Sequence, residues 1–265
     1  MKKLNFSHQE QSLAYLSAEP EFNLFLIGDI LEFGMSGKYV NTYTSDDWTG
    51  GEFPYFILEY CGNFLVYSKD LQYDTKEVAS FLATQDVQNL SGKKDIVEQL
   101  LPYFPERSLK RTYMSRLDSI NPDFVFSDTA VQRLDESHAE QLCDLYLSIE
   151  EFAATYKGKT REEVIQTIRL NIKANLYYGI FQDGNLLSVA ATSASTPDTT
   201  MITGVATKKD FRRHGYASSV VGSLCKANFA AGRKFLCLFY SNPEAGKIYH
   251  KIGFRELGIF SMLRS

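Results

Sequence analysis

Cysteine is scarce and scattered: Cys61, Cys143, Cys225 and Cys237 include no C-x-x-C pair, which removes the spacing of a thiol-redox motif or a zinc ribbon. Three of the four lie inside apolar periodic patterns and read as small core residues, as expected of a chain kept in a reducing cytoplasm. No run of 18 apolar residues occurs, so no membrane-spanning helix and no membrane partner are expected. Lys2 and Lys3 are not followed by the apolar stretch that a signal peptide needs. Basic charge is not in excess either. With 28 Lys and Arg against 32 Asp and Glu the net charge is −4, which argues against a nucleic-acid partner. No Ser/His/Asp arrangement or metal-ligand spacing stands out, and no metal is expected. What the 265 residues do hold is 44% hydrophobic content, enough for one large core or two ordinary ones.

Against this acidic background, Lys208, Lys209, Arg212, Arg213 and His214 form a local basic cluster. An apolar strand end, Val205-Ala206-Thr207, runs into that cluster, and Tyr216, Ala217 and Ser218 open a helix directly after it. Arg212, Gly215 and Ala217 fit the spacing R-x-x-G-x-[GA]. Glycine at the turn lets successive backbone amides close around an anion, and the helix N-terminus adds partial positive charge. An isolated basic run is ordinarily solvated surface. Coinciding with a glycine and a helix start, this one reads as a cradle for phosphate or pyrophosphate.

A second pattern follows. Phe235-Leu-Cys-Leu-Phe-Tyr240 has the composition of a buried strand, and Asn242, Ala245, Tyr249, Gly253 and Phe254 then fill N-x-x-A-x-x-x-Y-x-x-x-G-F. Together the two segments resemble motifs A and B of the GCN5-related N-acetyltransferases, in that family's order. The resemblance covers roughly Val131 to Ser265. A strand is expected at Val131–Leu134, a helix behind the capping pattern Ser137-His-Ala-Glu140, and another behind Thr160-Arg-Glu-Glu163. A hairpin turns at Gln182–Asn185, and further strands are expected at Thr200–Thr207 and near Ile259–Leu263. The resemblance implies the acyl-CoA N-acyltransferase fold, an α/β (α+β) arrangement with a mixed, mostly antiparallel central sheet flanked by helices. Residues 126–265 would be its catalytic domain.

The first half repeats the element order. Helices are expected at Ser7–Leu16 and Phe22–Phe33, strands near Lys38–Tyr43, Tyr55–Cys61 and Phe64–Tyr67 with a tight Gly62-Asn63 turn, then a helix at Thr75–Ala83. A strand at Val87–Leu90, a helix at Asp95–Tyr103 and a strand at Arg111–Leu117 complete it. This points to a tandem pseudo-repeat in which residues 1–125 are a degenerate copy joined through Asn121-Pro122-Asp123. The segment Tyr67–Thr75 has no glycine, so amides cannot close on a pyrophosphate there and CoA binding is not expected. That half would cover the acceptor side or mediate a homodimer.

The resemblance also assigns roles. Amides from Arg213 through Ser218, with charge from Arg212 and Arg213, would hold the pyrophosphate of acetyl-CoA, and His214 is a loop residue beside it. Val205, Ala206 and Thr207 would meet the pantetheine arm. Asn242 is either a pantetheine contact or, before Pro243, an N-cap. Tyr249 is either the proton donor to the departing thiolate or an aromatic on the core face with Ala245, Ile248 and Ile252. Thr200–Thr207 carries no carboxylate, so the base is water with backbone carbonyls, or Glu150 or Glu151. Phe152, Tyr156 and Tyr177 line an acceptor pocket or simply pack. The expected activity is acetyl-CoA-dependent N-acetylation of an amine on a small molecule or peptide. The alternatives are a CoA-binding regulatory module without turnover and a loop that binds another nucleotide.

Overall fold

Two polar segments start two helical regions in the same way. Asn5 Oδ1 accepts from Ser7 N at 3.0 Å while His8 Nδ1 accepts from Asn5 N at 3.2 Å. Asp135 Oδ1 accepts from Ser137 N at 2.9 Å while His138 Nδ1 accepts from Asp135 N at 3.2 Å. Each box opens a single 3₁₀ turn that runs into a helix, Gln9–Leu16 or Ala139–Leu147. The cap expected at Ser137 and Glu140 is therefore displaced two residues earlier, because the tighter first turn brings His138 back over Asp135. The sequences Ser7-His-Gln-Glu-Gln11 and Ser137-His-Ala-Glu-Gln141 repeat this device.

The computed structural model describes residues 1–264. Its helices are α1 (Gln9–Leu16), α2 (Leu24–Phe33), α3 (Thr75–Leu82), α4 (Lys94–Val97), α5 (Ala139–Leu147), α6 (Glu150–Ala153), α7 (Arg161–Ala174), α8 (Tyr216–Ala230) and α9 (Pro243–Ile252). Its strands are β1 (Lys2–Lys3), β2 (Val40–Thr44), β3 (Phe56–Tyr60), β4 (Asn63–Tyr67), β5 (Asn89–Lys93), β6 (Ser108–Leu117), β7 (Val131–Arg133), β8 (Tyr177–Gln182), β9 (Asn185–Ser195), β10 (Thr199–Thr207), β11 (Phe235–Tyr240) and β12 (Arg255–Arg264). No helix among the described residues is long and apolar enough to cross a membrane. The chain forms two compact units. One holds Met1–Ser115, Phe239–Ser241 and the described residues from Glu256 on; the other holds Arg116–Leu238 and Asn242–Arg255.

In the first unit the strand order is β1-β2-β3-β4-β5-β12-β6. The β4–β5 pair is parallel, whereas β1–β2, β2–β3, β3–β4 and β5–β12 are antiparallel. Tyr60 pairs with Asn63, so the turn residues are Cys61 (φ 48°) and Gly62 (φ 80°), one position earlier than the Gly62-Asn63 expectation. Two successive left-handed residues give the twist an antiparallel hairpin needs. A division of the chain near residue 125 is not how its contacts fall. β12, expected as the last strand of the second half, is in register with β5 from Phe260↔Lys93 to Arg264↔Asn89. Leu263 is fully buried there among Val66, Val78, Leu90 and Ile96, which is where its apolar area is removed from water.

In the second unit the order is β11-β10-β9-β8-β7, with β10–β11 parallel and β10–β9, β9–β8 and β8–β7 antiparallel. The mixed, mostly antiparallel sheet read from the sequence is present in both units, each with a parallel pair in the corresponding position. Thr160 and Glu163 form the expected capping box on α7. Leu142 and Tyr146 of α5 and Ile165 and Ile168 of α7 bury against Val189, Ala191 and Ala206 of the sheet. Cys143, Cys225 and Cys237 are buried, as their apolar settings imply.

Because β12 closes the first unit's core, replacing Leu263 with Ala should cost about 2–4 kcal/mol. Urea unfolding measures it, and a loss under about 0.5 kcal/mol would mean that β12 is dispensable to that core.

Candidate functional site

The site is built where β10 loses its regular partners. Its parallel ladder with β11 runs from Thr199↔Phe235 to Ile202↔Leu238, and β10 then continues to Thr207. On the β9 side the register slips between Thr203↔Ala191 and Ala206↔Val189, a β-bulge that spends one extra residue on β10. Gly204 supplies it with φ +60°, a left-handed conformation that glycine adopts at no steric cost. The Tyr146 hydroxyl donates to the Gly204 carbonyl at 3.3 Å, and a Cβ on residue 204 would stand 2.6 Å from that hydroxyl oxygen. Thr203 is exposed and Gly204, Val205 and Thr207 are half-buried, while Ala206 points into the core. Ser188 Oγ ties down the far side, to Ala206 O at 3.1 Å and Thr207 Oγ1 at 2.8 Å.

Past Thr207 the chain makes one 3₁₀ turn, Lys209–Phe211, and enters the glycine loop. Arg212 Nε donates to Thr207 O at 3.2 Å and His214 Nδ1 donates to Arg212 O at 2.9 Å. Arg213 (φ 67°) and Gly215 (φ 83°) are both left-handed, a costly state for arginine that the loop imposes. Gly215 is the N-cap of α8 and gives it no side-chain cap. Helical bonding starts with Ser219 N on Gly215 O at 3.0 Å, so the amides of Tyr216, Ala217 and Ser218 lack intrahelical acceptors. A Cβ on residue 215 would meet nothing within 4 Å, which leaves room for a ligand atom there. Arg212, Arg213, His214 and Gly215 are exposed. Donors, dipole and cations converge on open space, and this fits a phosphate-bearing group.

The corresponding position of the first unit is filled. α3 is capped by Asp74, whose carboxylate accepts from Glu77 N at 2.8 Å. That unit carries its own anion on the helix N-terminus.

The second motif is also in place. Asn242 Oδ1 accepts from Glu244 N at 2.9 Å ahead of Pro243, so its capping role is real. Tyr249 is 6% exposed and meets Phe254 edge-on at 6.0 Å. Burial, with Cys225 nearby, lifts its phenol to about 12. An open cleft of about 540 Å³ lies beside the start of α8, lined by His214, Gly215, Ser218, Ser219, Lys251 and residues of the segment 121–127.

The expected acceptor residues divide. Tyr177 is buried in the core, where desolvation raises its phenol to about 12. Phe152 and Tyr156 are half-buried against the same core, and Phe152 stacks on Tyr146 at 4.6 Å and 9°. Glu150 and Glu151 are exposed at the start of α6. Sequence reading missed Tyr146 as the support of the bulge. An interior glycine in a strand rich in β-branched residues, Thr-Gly-Val at 203–205, is the signal that could have located the bulge.

Residues 177–263 match the family model described as FR47-like protein. No curated protein matches the sequence. Among solved structures a Drosophila protein is similar at TM-score 0.73 and 10% identity, over 99% of this chain and 97% of that one. A GCN5-related N-acetyltransferase-like protein from Streptococcus suis gives 0.60 at 14% identity, over 98% and 99%. A tandem GNAT protein from the clavulanic acid biosynthesis pathway gives 0.59 at 12%, over 99% and 97%. The fold is that of the GCN5-related N-acetyltransferases in two halves, as the motifs of the second half and the repeated element order of the first implied.

Gly204→Ala should destabilise the chain by about 1–3 kcal/mol, through both its left-handed φ and the Tyr146 hydroxyl. Adding Tyr146→Phe to that variant should recover part of the loss. Strictly additive losses in denaturant titrations would disprove the contact.

Proposed function

We propose, from a GCN5-related N-acetyltransferase fold whose residues 177–263 match the FR47-like family, that this chain moves an acetyl group from acetyl-CoA to a primary amine of a small molecule or peptide. The observation that carries the reading is the uncapped start of α8, set at the end of a strand that has outrun its parallel neighbour. The second unit holds this donor site, and Asp74 supports a degenerate role for the first.

Acetyl-CoA, when bound, supplies a thioester carbonyl. The amides of Tyr216, Ala217 and Ser218, with Arg212 and Arg213, hold its pyrophosphate by charge-assisted hydrogen bonds. The backbone of Val205 and Thr207 offers strand-like donors and acceptors to the pantetheine amides. Asn242 Oδ1 is committed to the helix cap, so its contact with that arm comes from Nδ2. A backbone amide at the Gly204 bulge polarises the carbonyl under attack. With no carboxylate on β10, the amine gives up its proton through water and the strand's carbonyls.

Tyr249 acts on the sulfur. A phenol at about 12 keeps its proton at every working pH. It lies above an ordinary thiol near 8.5, so it helps the departing thiolate by donating a hydrogen bond more than by giving the proton up. Attack by the amine forms the C–N bond and breaks the C–S bond, and the amine's proton leaves through water.

Two measurements test this. Gly215→Val should reduce CoA affinity about 100-fold, because a β-branched residue disfavours φ near +80°, while the open space around it lets the chain fold; an unchanged calorimetric Kd refutes the cradle. Tyr249→Phe should lower kcat for CoA release about 10- to 100-fold, the worth of one hydrogen bond to a charged sulfur, with KM for acetyl-CoA unchanged. Activity within twofold of wild type would make Tyr249 a packing residue. Tight CoA binding with no release across polyamines, aminoglycosides, amino acids and peptides would favour a regulatory module.

A further inference from the structure

The segment 121–127 is strapped over α8 and α9. At one end Asn121 N donates to Ile252 O at 2.8 Å. Gly253 (φ +118°) permits this approach, since a Cβ there would stand 3.1 Å from both Asn121 N and Ser119 O. At the other end the Phe126 ring lies 3.0 Å from where a Cβ of Gly222 on α8 would be. Asp128 just beyond it pairs with Lys226 Nζ at 2.9 Å. Phe124 and Phe126 stack, centroids 5.4 Å apart at 23°, and Val125 between them is 91% exposed. These three residues line the cleft together with Ser218, Ser219 and Lys251. Ser219 is 9% exposed, and its hydroxyl makes no hydrogen bond among the described residues.

The first turn of α8 can hold a pyrophosphate without this wall. What the wall adds is an apolar, aromatic surface beside the Lys251 ammonium and two hydroxyls, with Asp123 on the strap as the one carboxylate in the lining. That combination suits a purine with a phosphate on its ribose: the flat face stacks on an aromatic or apolar wall, and the phosphate takes an ammonium and O–H donors. We propose that the strap is the adenosine-binding wall of the donor site, with Phe124 and Val125 against the purine and Lys251, Ser218 and Ser219 toward the ribose 3′-phosphate of CoA. The proposal rests on the acetyl-CoA reading above.

Calorimetry on the full chain with CoA, 3′-dephospho-CoA and 4′-phosphopantetheine tests it. Wild type binds CoA more than about tenfold more tightly than 4′-phosphopantetheine, which lacks the base, the ribose phosphate and one phosphate of the pyrophosphate. Phe124→Ala weakens CoA about tenfold, the worth of one stacked base, and leaves 4′-phosphopantetheine within twofold of wild type. Val125→Asp, at a position whose exposure frees folding from it, weakens CoA as well. Lys251→Gln brings CoA and 3′-dephospho-CoA to equal affinity. If Phe124→Ala and Val125→Asp bind CoA as wild type does, the strap is not the wall and the acetyl-CoA reading stands. Failure of wild type to bind CoA at all overturns both.

Discussion

Three amide donors at the start of α8 have no partner inside their own helix, and the second unit is arranged around that deficit. A buried helix end would be satisfied by a side chain; here the cap is Gly215, which has none. The left-handed turn at Arg213 and Gly215 aims the chain so that the donors face solvent beside two guanidinium groups. Strand β10 delivers the loop to this point, and its bulge at Gly204 loosens the sheet just before it does. In the first unit the same fold element ends differently, and Asp74 settles the electrostatics locally. A carboxylate at an N-terminus stabilises its helix and by the same charge repels a phosphate. One residue type at the cap thus separates a stabilised helix from a ligand site.

Glycine does a different job at each of three further places in this unit. At Gly204 it admits a tyrosine hydroxyl to the backbone, at Gly222 a phenylalanine ring to the flank of α8, and at Gly253 the main chain of the strap to the end of α9. Gly253 also ends α9 in the left-handed conformation, so the terminal glycine of motif B both stops a helix and lets another segment approach. Without these approaches β10 would keep its regular ladder and the strap would stand off both helices.

The parts legible in sequence were those encoded by local pattern. Helical spacing, the Thr160–Glu163 box and the two motifs located nearly every element of the second unit. The Asp183–Gly184 turn was visible because both residues tolerate left-handed backbone (φ 50° and 74°). What could not be read depends on partners distant in sequence. The choice of β5 as the partner of β12 is invisible, since both halves have apolar strands that could take it. Tyr146 sits in the core, and only its hydroxyl reaches the bulge, across 58 residues of sequence. The segment 121–127 looked like a linker for lack of periodicity, and the glycines that seat it lie on two helices far along the chain.

The strand exchange has a physical consequence for the first unit. Closing so long a loop adds little to the equilibrium cost, which grows only with the logarithm of length, while pairings so distant in sequence form slowly as a class. Until β12 arrives, β5 is an unpaired sheet edge, the kind of surface on which chains aggregate. Its sequence is suited to waiting: Asn89, Ser91 and Lys93 alternate with Leu90 and Gly92, so the strand is short and polar on one face, with Leu90 its one apolar side chain on the other. Gly92 is required by closeness as well, since a Cβ there would fall 2.4 Å from Val66 O. The second unit has no such dependence, because β7 through β11 pair in sequence order or next to it.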